Sequence, residues 1–257
     1  MQTVTSPDGT VLAYDLMGSG PAVVLLPGGS VDRTSNAGLA AELANDFTVY
    51  NLDRRGRGDS TDTLPYAVAR EIEDITAVIV AAGGSAHLYG SSSGAALAFE
   101  AAAAGAPVAK LAMWEPPYFL DPRPELADAA RVFHDLVAAG KRDEAAEYFM
   151  GTVVGMPAEF VAGARQSPWW PGQVKIAHTL EYDATVMGDY RIPEDRARSV
   201  TVPTIIIDGG ASFAGMRESA DRLAELIPNA TRATLEGQQH NVDDTVLAPV
   251  LRDFFLG

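Results

Sequence analysis

The chain contains no cysteine, which excludes disulfides, thiolate metal sites and a cysteine nucleophile and makes a reducing compartment, the cytoplasm, the expected location. Basic residues are also scarce: 19 Lys and Arg stand against 34 Asp and Glu, for a formal charge of −15. A polyanion would be repelled by that summed field, so neither nucleic acid nor an anionic membrane surface is an expected partner. An uncharged or cationic small molecule fits better as substrate. Long apolar runs are missing as well. The most apolar stretch, residues 95–114, is broken by Glu100, Gly105, Pro107 and Lys110, too interrupted for a membrane span. Residues 1–10 carry neither a basic region nor an apolar one of the kind a signal peptide needs. No His-Glu-x-x-His helix, no phosphate-binding loop with its lysine and no dinucleotide glycine spacing occurs, so no metal and no cofactor are expected.

What is present is a chain of 257 residues with 47% hydrophobic content, enough for one large domain that buries roughly 70 to 75% of its unfolded surface. Apolar, β-branched runs alternate with helical patterns, the signature of a mostly parallel sheet flanked by helices, an α/β fold. Two opening strands, residues 1–5 and 10–17, flank the turn Ser6-Pro7-Asp8-Gly9 and read as a hairpin at the sheet edge. Further strands are expected over 22–26, 47–52, 86–89, 108–114, 203–208 and 231–235, making an eight-stranded sheet. Helices are expected over 36–45, 67–82, 94–104, 214–227 and 245–255. Between residues 117 and 200 the pattern turns wholly helical, over 125–139, 142–155, 158–165 and 173–187. Prolines 116, 117, 122, 124 and 193 bound this stretch, as expected where a chain leaves one layer and re-enters it. The division expected is therefore a core of residues 1–116 and 201–257 with a helical insertion over 117–200. There is no internal repeat.

The sharpest motif is Gly90-Ser91-Ser92-Ser93-Gly94 between an expected strand and an expected helix, a Gly-x-Ser-x-Gly pattern. It predicts a strained turn that lifts the Ser92 hydroxyl clear of the sheet, with glycines where side chains would collide with neighbouring backbone. The backbone N–H of Ser93, at the helix N-terminus, would point toward a developing oxyanion. The plainer reading is a Ser-rich turn that merely caps the helix.

With three further motifs the sequence resembles the α/β-hydrolase superfamily. Leu25-Leu26-Pro27-Gly28-Gly29-Ser30 resembles the family's oxyanion turn, with Pro27 where histidine is usual, and implies Gly29 as the second N–H donor. Asp53-Arg54-Arg55-Gly56-Arg57-Gly58-Asp59-Ser60 resembles a structural loop of many members, and Gly237-Gln238-Gln239-His240 resembles the loop of the catalytic histidine. The resemblance covers roughly residues 1–115 and 200–257, with the insertion falling where the family carries a cap over the active site. Of the four histidines, His87, His134 and His178 lie within expected strand or helices, leaving His240 in the loop position that a Ser, acid, His order demands.

The orienting acid departs from the family's pattern. After the seventh strand the chain reads Asp208-Gly209-Gly210-Ala211-Ser212, with Ser212 where the carboxylate usually stands. Some members, certain haloalkane dehalogenases among them, carry the acid at the end of the sixth strand. Glu115 holds that place and keeps the order Ser92, Glu115, His240. Asp208 is the first alternative acid, then Asp243 or Asp244. The reaction implied is acyl transfer to water by a small, hydrophobic ester, lactone or thioester hydrolase. Carbon-carbon hydrolases, perhydrolases and lyases share the scaffold. A non-hydrolytic ligand receptor is the rival that Ser212 and Pro27 suggest. In the insertion, Phe133, Tyr148, Phe149, Met150, Trp169, Trp170, Tyr182 and Met187 form an apolar and aromatic set able to line a substrate pocket, although about two-thirds of them are expected to make the insert's own core; Trp169, Trp170, Tyr182 and Met187 are the named pocket candidates. Oligomeric state is not legible.

Overall fold

The computed structural model describes residues 1–257, all but the side chain of Ala214. One eight-stranded sheet runs in the order β1-β2-β4-β3-β5-β6-β7-β8. Its strands are β1 (Gln2–Thr5), β2 (Val11–Met17), β3 (Ala22–Leu26), β4 (Thr48–Leu52), β5 (Ala86–Ser91), β6 (Val108–Trp114), β7 (Thr204–Gly209) and β8 (Ala230–Leu235). The first two form the expected antiparallel hairpin, β2 lies antiparallel to β4, and every pairing from β4 through β8 is parallel.

Side chains alternate across each strand with a period of two, so each face of the sheet gathers its own core. On one face Val24, Leu26, Leu88, Leu111, Met113 and Ile206 are covered by α2 (Val68–Ala81), α3 (Ser93–Ala103) and α10 (Ala214–Leu226). On the other, Val23, Leu25, Val49, Tyr89, Trp114 and Ile207 meet α1 (Ala37–Leu43) and α11 (Asp244–Leu256). The alanine-rich α3 lies against the sheet with nearly its whole length buried, as small side chains allow.

From β3 the chain steps to β4 on one side and returns through β5 on the other. That reversal opens a crevice at the carboxyl ends of β3 and β5, the place where open α/β sheets take their ligands. The segments after β3, β5, β6, β7 and β8 all emerge at this edge.

Between β6 and β7 lies the helical insert: α4 (Ala129–Ala138), α5 (Arg142–Tyr148), α6 (Ala158–Ala164), α7 (Trp170–Ile176), α8 (Leu180–Met187) and α9 (Glu194–Ser199). Several sequence expectations are corrected here. The helix expected over 142–155 ends at Tyr148 and widens into a π-turn, Phe149–Val153. The one expected over 173–187 starts at Trp170 and is divided by a 3-10 turn, Ala177–Thr179, and the one over 125–139 has a separate 3-10 turn at Pro124–Leu126. The polar helix α9 was not expected. No helix among the described residues is long and apolar enough to cross a membrane.

Candidate active site

Ser92 sits between β5 and α3 with φ 54° and ψ −126°, a left-handed conformation that costs of order 1–3 kcal/mol for a residue with a side chain. The surroundings impose it. A Cβ on Gly90 would stand 2.2 Å from the Gly94 carbonyl oxygen, and one on Gly94 would stand 2.4 Å from the carbonyl oxygen of Pro27. Only glycine at both positions lets strand, turn and helix pack this closely. The Ser92 N–H donates to the Trp114 carbonyl at 2.8 Å, and no capping bond occupies its side chain.

His240 follows β8. Its Nδ1 lies 2.6 Å from Glu115 Oε2, and its carbonyl accepts a hydrogen bond from Trp114 Nε1 at 2.9 Å. Glu115 has no solvent contact and a left-handed φ of 43° at the end of β6. Burying a carboxylate is costly unless its oxygens find donors, and these do. Oε1 accepts the Gly209 N–H at 2.8 Å, and Oε2 also accepts the Ser212 hydroxyl at 2.9 Å. Ser212, standing where an acid is usual, thus carries a donor to an acid supplied from the neighbouring strand.

Asp208, the alternative acid, is placed elsewhere. Its carboxylate is fully buried but faces Arg232, the Thr234 hydroxyl at 2.8 Å and Arg217 at 3.5 Å. Both oxygens are taken, and none of these bonds is to His240. Asp243 caps α11 through the Thr245 N–H, and Asp244 is the first residue of that helix.

The Gly28-Gly29 turn lies beside the serine, where a Cβ on Gly28 would be 3.1 Å from Ser92 Cβ. Beneath it is an ion network that the sequence did not announce. Asp183 of α8, buried against the turn, receives Arg54 Nη1, Arg57 Nη2 and the Ser93 hydroxyl at 2.7, 2.7 and 2.8 Å. Arg54 also makes a two-pronged pair with buried Glu71 at 2.8 and 2.9 Å. Burial alone would raise the Asp183 pKa, but Arg57 and Arg54 outweigh it and hold the carboxyl below its ordinary value. Asp183 lies 129 and 126 residues from Arg54 and Arg57 in the chain, so no local pattern marks those pairs.

Ser92 and His240 border two cavities in common. One, of about 260 Å³, has mostly apolar walls that include Phe119, Phe149, Met187, Tyr190, Phe213 and Met216. The other, of about 420 Å³, runs toward Asn36, Trp169, Gln173 and Asn241. Among the described residues no hydrogen bond joins the Ser92 and His240 side chains, although both border the same two cavities. Gly29 borders both cavities and Ser93 the first.

Of the expected pocket residues, Met187 and Trp169 reach these cavities and two do not. Trp170 is buried with Met150 and Ala164 in the insert's own small core, its indole N–H given to Asp143 at 2.9 Å. Tyr182 stacks on Tyr66 at 4.0 Å and donates to Asp62 at 2.6 Å. Large aromatic rings gain most from full contact, and packing claimed these two. Phe133 and Tyr148 likewise meet edge-on inside the insert. Phe119, Tyr190 and Phe213, which do line the first cavity, follow no spacing rule and were missed. No cluster of metal-ligating side chains occurs among the described residues.

Comparison with known proteins identifies the family. The sequence model of the alpha/beta hydrolase family matches residues 23–248. The solved structure of an alpha/beta hydrolase from Sphaerobacter thermophilus DSM 20745 is 51% identical, with a TM-score of 0.92 over 99% of this chain and 100% of that one. The enol-lactonase from Burkholderia xenovorans LB400, 22% identical, has a TM-score of 0.71 over 100% of both chains and shares the fold. N-formylmaleamate deformylase of Pseudomonas putida is 39% identical over 104 residues, covering 39% of this chain. The matched segment likewise spans only 39% of the deformylase. With a family model spanning most of its length and a full-length relative sharing half its residues, this chain belongs to the alpha/beta hydrolase family.

Proposed function

We propose that the protein is a cofactor-independent serine hydrolase acting on a small, mostly apolar ester, lactone or thioester. The observation that carries this reading is the buried Glu115 bonded to His240 Nδ1 beside a cavity that also holds the strained Ser92. With Nδ1 as the proton-bearing nitrogen, Nε2 is left with the lone pair that a base needs. His240 Nε2 takes the Ser92 hydroxyl proton as Oγ attacks the substrate carbonyl. The N–H groups of Gly29 and Ser93 receive the resulting oxyanion, each donor contributing about 3–4 kcal/mol to the transition state. The histidine then gives its proton to the leaving oxygen or sulfur. Water, deprotonated by the same nitrogen, attacks the acyl-enzyme, and Ser92 Oγ recovers a proton as the acid departs.

Apolar walls around the first cavity favour a hydrocarbon-like portion of the substrate through burial of its surface. Ser92→Ala is expected to lower turnover of p-nitrophenyl butyrate by roughly 10⁴-fold or more while the circular dichroism spectrum and melting temperature stay as in the parent. Activity retained at the parental level in a folded Ser92→Ala protein would overturn the assignment.

A further inference from the structure

We infer that Asp183 and Arg57 are positioning residues for the oxyanion site, so that seating of the helical insert completes the catalytic apparatus. This rests on the acyl-transfer reading and goes beyond it, because neither side chain takes part in the chemical steps above.

Arg57 Nη1 donates to the Gly28 carbonyl oxygen at 2.6 Å. A peptide unit is planar and trans, so its C=O and the following N–H point in opposite directions. Fixing the Gly28 oxygen therefore fixes the direction of the Gly29 N–H, the first proposed donor, and polarises it as chained hydrogen bonds do. Arg57 is itself held by Asp183 Oδ2 at 2.7 Å and by the Thr179 hydroxyl at 3.0 Å from Nε. Both of these partners belong to the insert. The other oxygen of Asp183, Oδ1, accepts the Ser93 hydroxyl at 2.8 Å and so ties down the residue whose N–H is the second donor. One carboxylate from the insert thus reaches both donors, one through Arg57 and one through the Ser93 side chain.

A stabilising ion cluster alone would not need this arrangement. Arg54 and Arg57 are balanced by Asp183 and Glu71, leaving no net charge under the oxyanion. Neutralising Asp183 would leave the cluster positive, and on Coulomb energy alone that would favour a developing oxyanion. A fall in rate on neutralisation therefore reports geometry, since charge acts in the opposite sense.

The test compares the parent protein with Asp183→Asn and Ser93→Ala, measuring kcat and KM separately on p-nitrophenyl butyrate. It adds inhibition by an alkyl trifluoromethyl ketone, which forms a tetrahedral oxyanion adduct on a serine. Folding is checked by melting temperature. Asp183→Asn should lose about 10–100-fold in kcat, short of deleting one oxyanion donor outright, with KM changed less than about twofold and ketone affinity falling in parallel with kcat. Ser93→Ala should lose about threefold to tenfold in kcat, in line with one hydrogen bond. A folded Asp183→Asn protein with parental kcat, or one whose loss lies wholly in KM, would overturn the inference. Should that variant not fold, parental kcat in Ser93→Ala overturns it instead. A parent protein that hydrolyses no ester overturns the acyl-transfer reading itself and this inference with it.

Discussion

At the scale of single residues, the outcome turns on where hydrogen-bond donors are available. Glu115 is wholly buried, yet the Gly209 N–H, the Ser212 hydroxyl and His240 all meet its carboxylate. Asp208, one strand away and equally buried, is met by Arg232, Thr234 and Arg217. Two buried carboxylates in neighbouring strands thus meet different partners. Glu115→Gln should reduce kcat by about 10³–10⁴-fold by removing the acceptor that fixes the histidine tautomer. Asp208→Asn should leave kcat nearly unchanged and lower the melting temperature by roughly 5–10 °C, since it strips the buried partner from two arginines. Kinetics on p-nitrophenyl esters together with thermal melts check both, and the reverse pattern would exchange the two roles. The Gly-x-Ser-x-Gly turn, the His240 loop and the place of Glu115 at the end of the sixth strand could be located from the sequence because each is carried by contiguous residues. Ser212 could be read only as a departure; its bond to Glu115 joins residues 97 apart in sequence.

Elements of the sheet were legible where those of the insert were less so, and packing explains the difference. Strands such as Val108–Trp114 and Thr204–Gly209 are apolar on both faces because helices cover both sides, and short continuous runs between turn signals reveal them. In the insert, helical periodicity marks an apolar face but does not say which neighbour receives it. Trp170 accordingly went to the insert's own small core and Tyr182 to Tyr66 and Asp62 across the boundary with the sheet domain, and the π-turn Phe149–Val153 instead lays Phe149 and Val153 along the first cavity. The six-residue, charged α9 has Ala197 as its one buried side chain, too weak a pattern to predict.

A pH dependence belongs to this scale too. His87 of β5 stacks on Phe255 of α11 at 4.7 Å and meets Phe47 edge-on at 6.3 Å. Burial, with Lys110 adding to it, lowers its pKa below the ordinary 6.5. The folded protein therefore binds this proton less readily than the unfolded chain, and stability present above pH 6.5 is lost as pH falls below it. Burial lowers the pKa of His178 in the same direction. Melting temperature should decline as the buffer is taken from neutral to mildly acidic, and His87→Phe should make the decline shallower. Equal slopes in parent and variant would remove His87 from the account.

For the whole molecule, the sheet order decides what meets what. Residues from the ends of β3, β5, β6, β7 and β8 converge because the strand order reverses between β3 and β5, and a resemblance resting on four short motifs was enough to foresee that convergence. It could not foresee the binding between core and insert, where Arg54 and Arg57 reach Asp183 across 129 and 126 residues of sequence. Such pairs leave no periodic trace. Substrate identity belongs to the same category, since it depends on how insert and core jointly enclose two cavities. Attack of Ser92 on carbonyl carbon, the proposed chemistry, is tested most directly by covalent trapping. After incubation with a fluorophosphonate, mass spectrometry should find a single phosphonyl group per chain, mapped by peptide fragmentation to Ser92. An unmodified chain, or a label carried by Ser91, Ser93 or another hydroxyl instead, would contradict it.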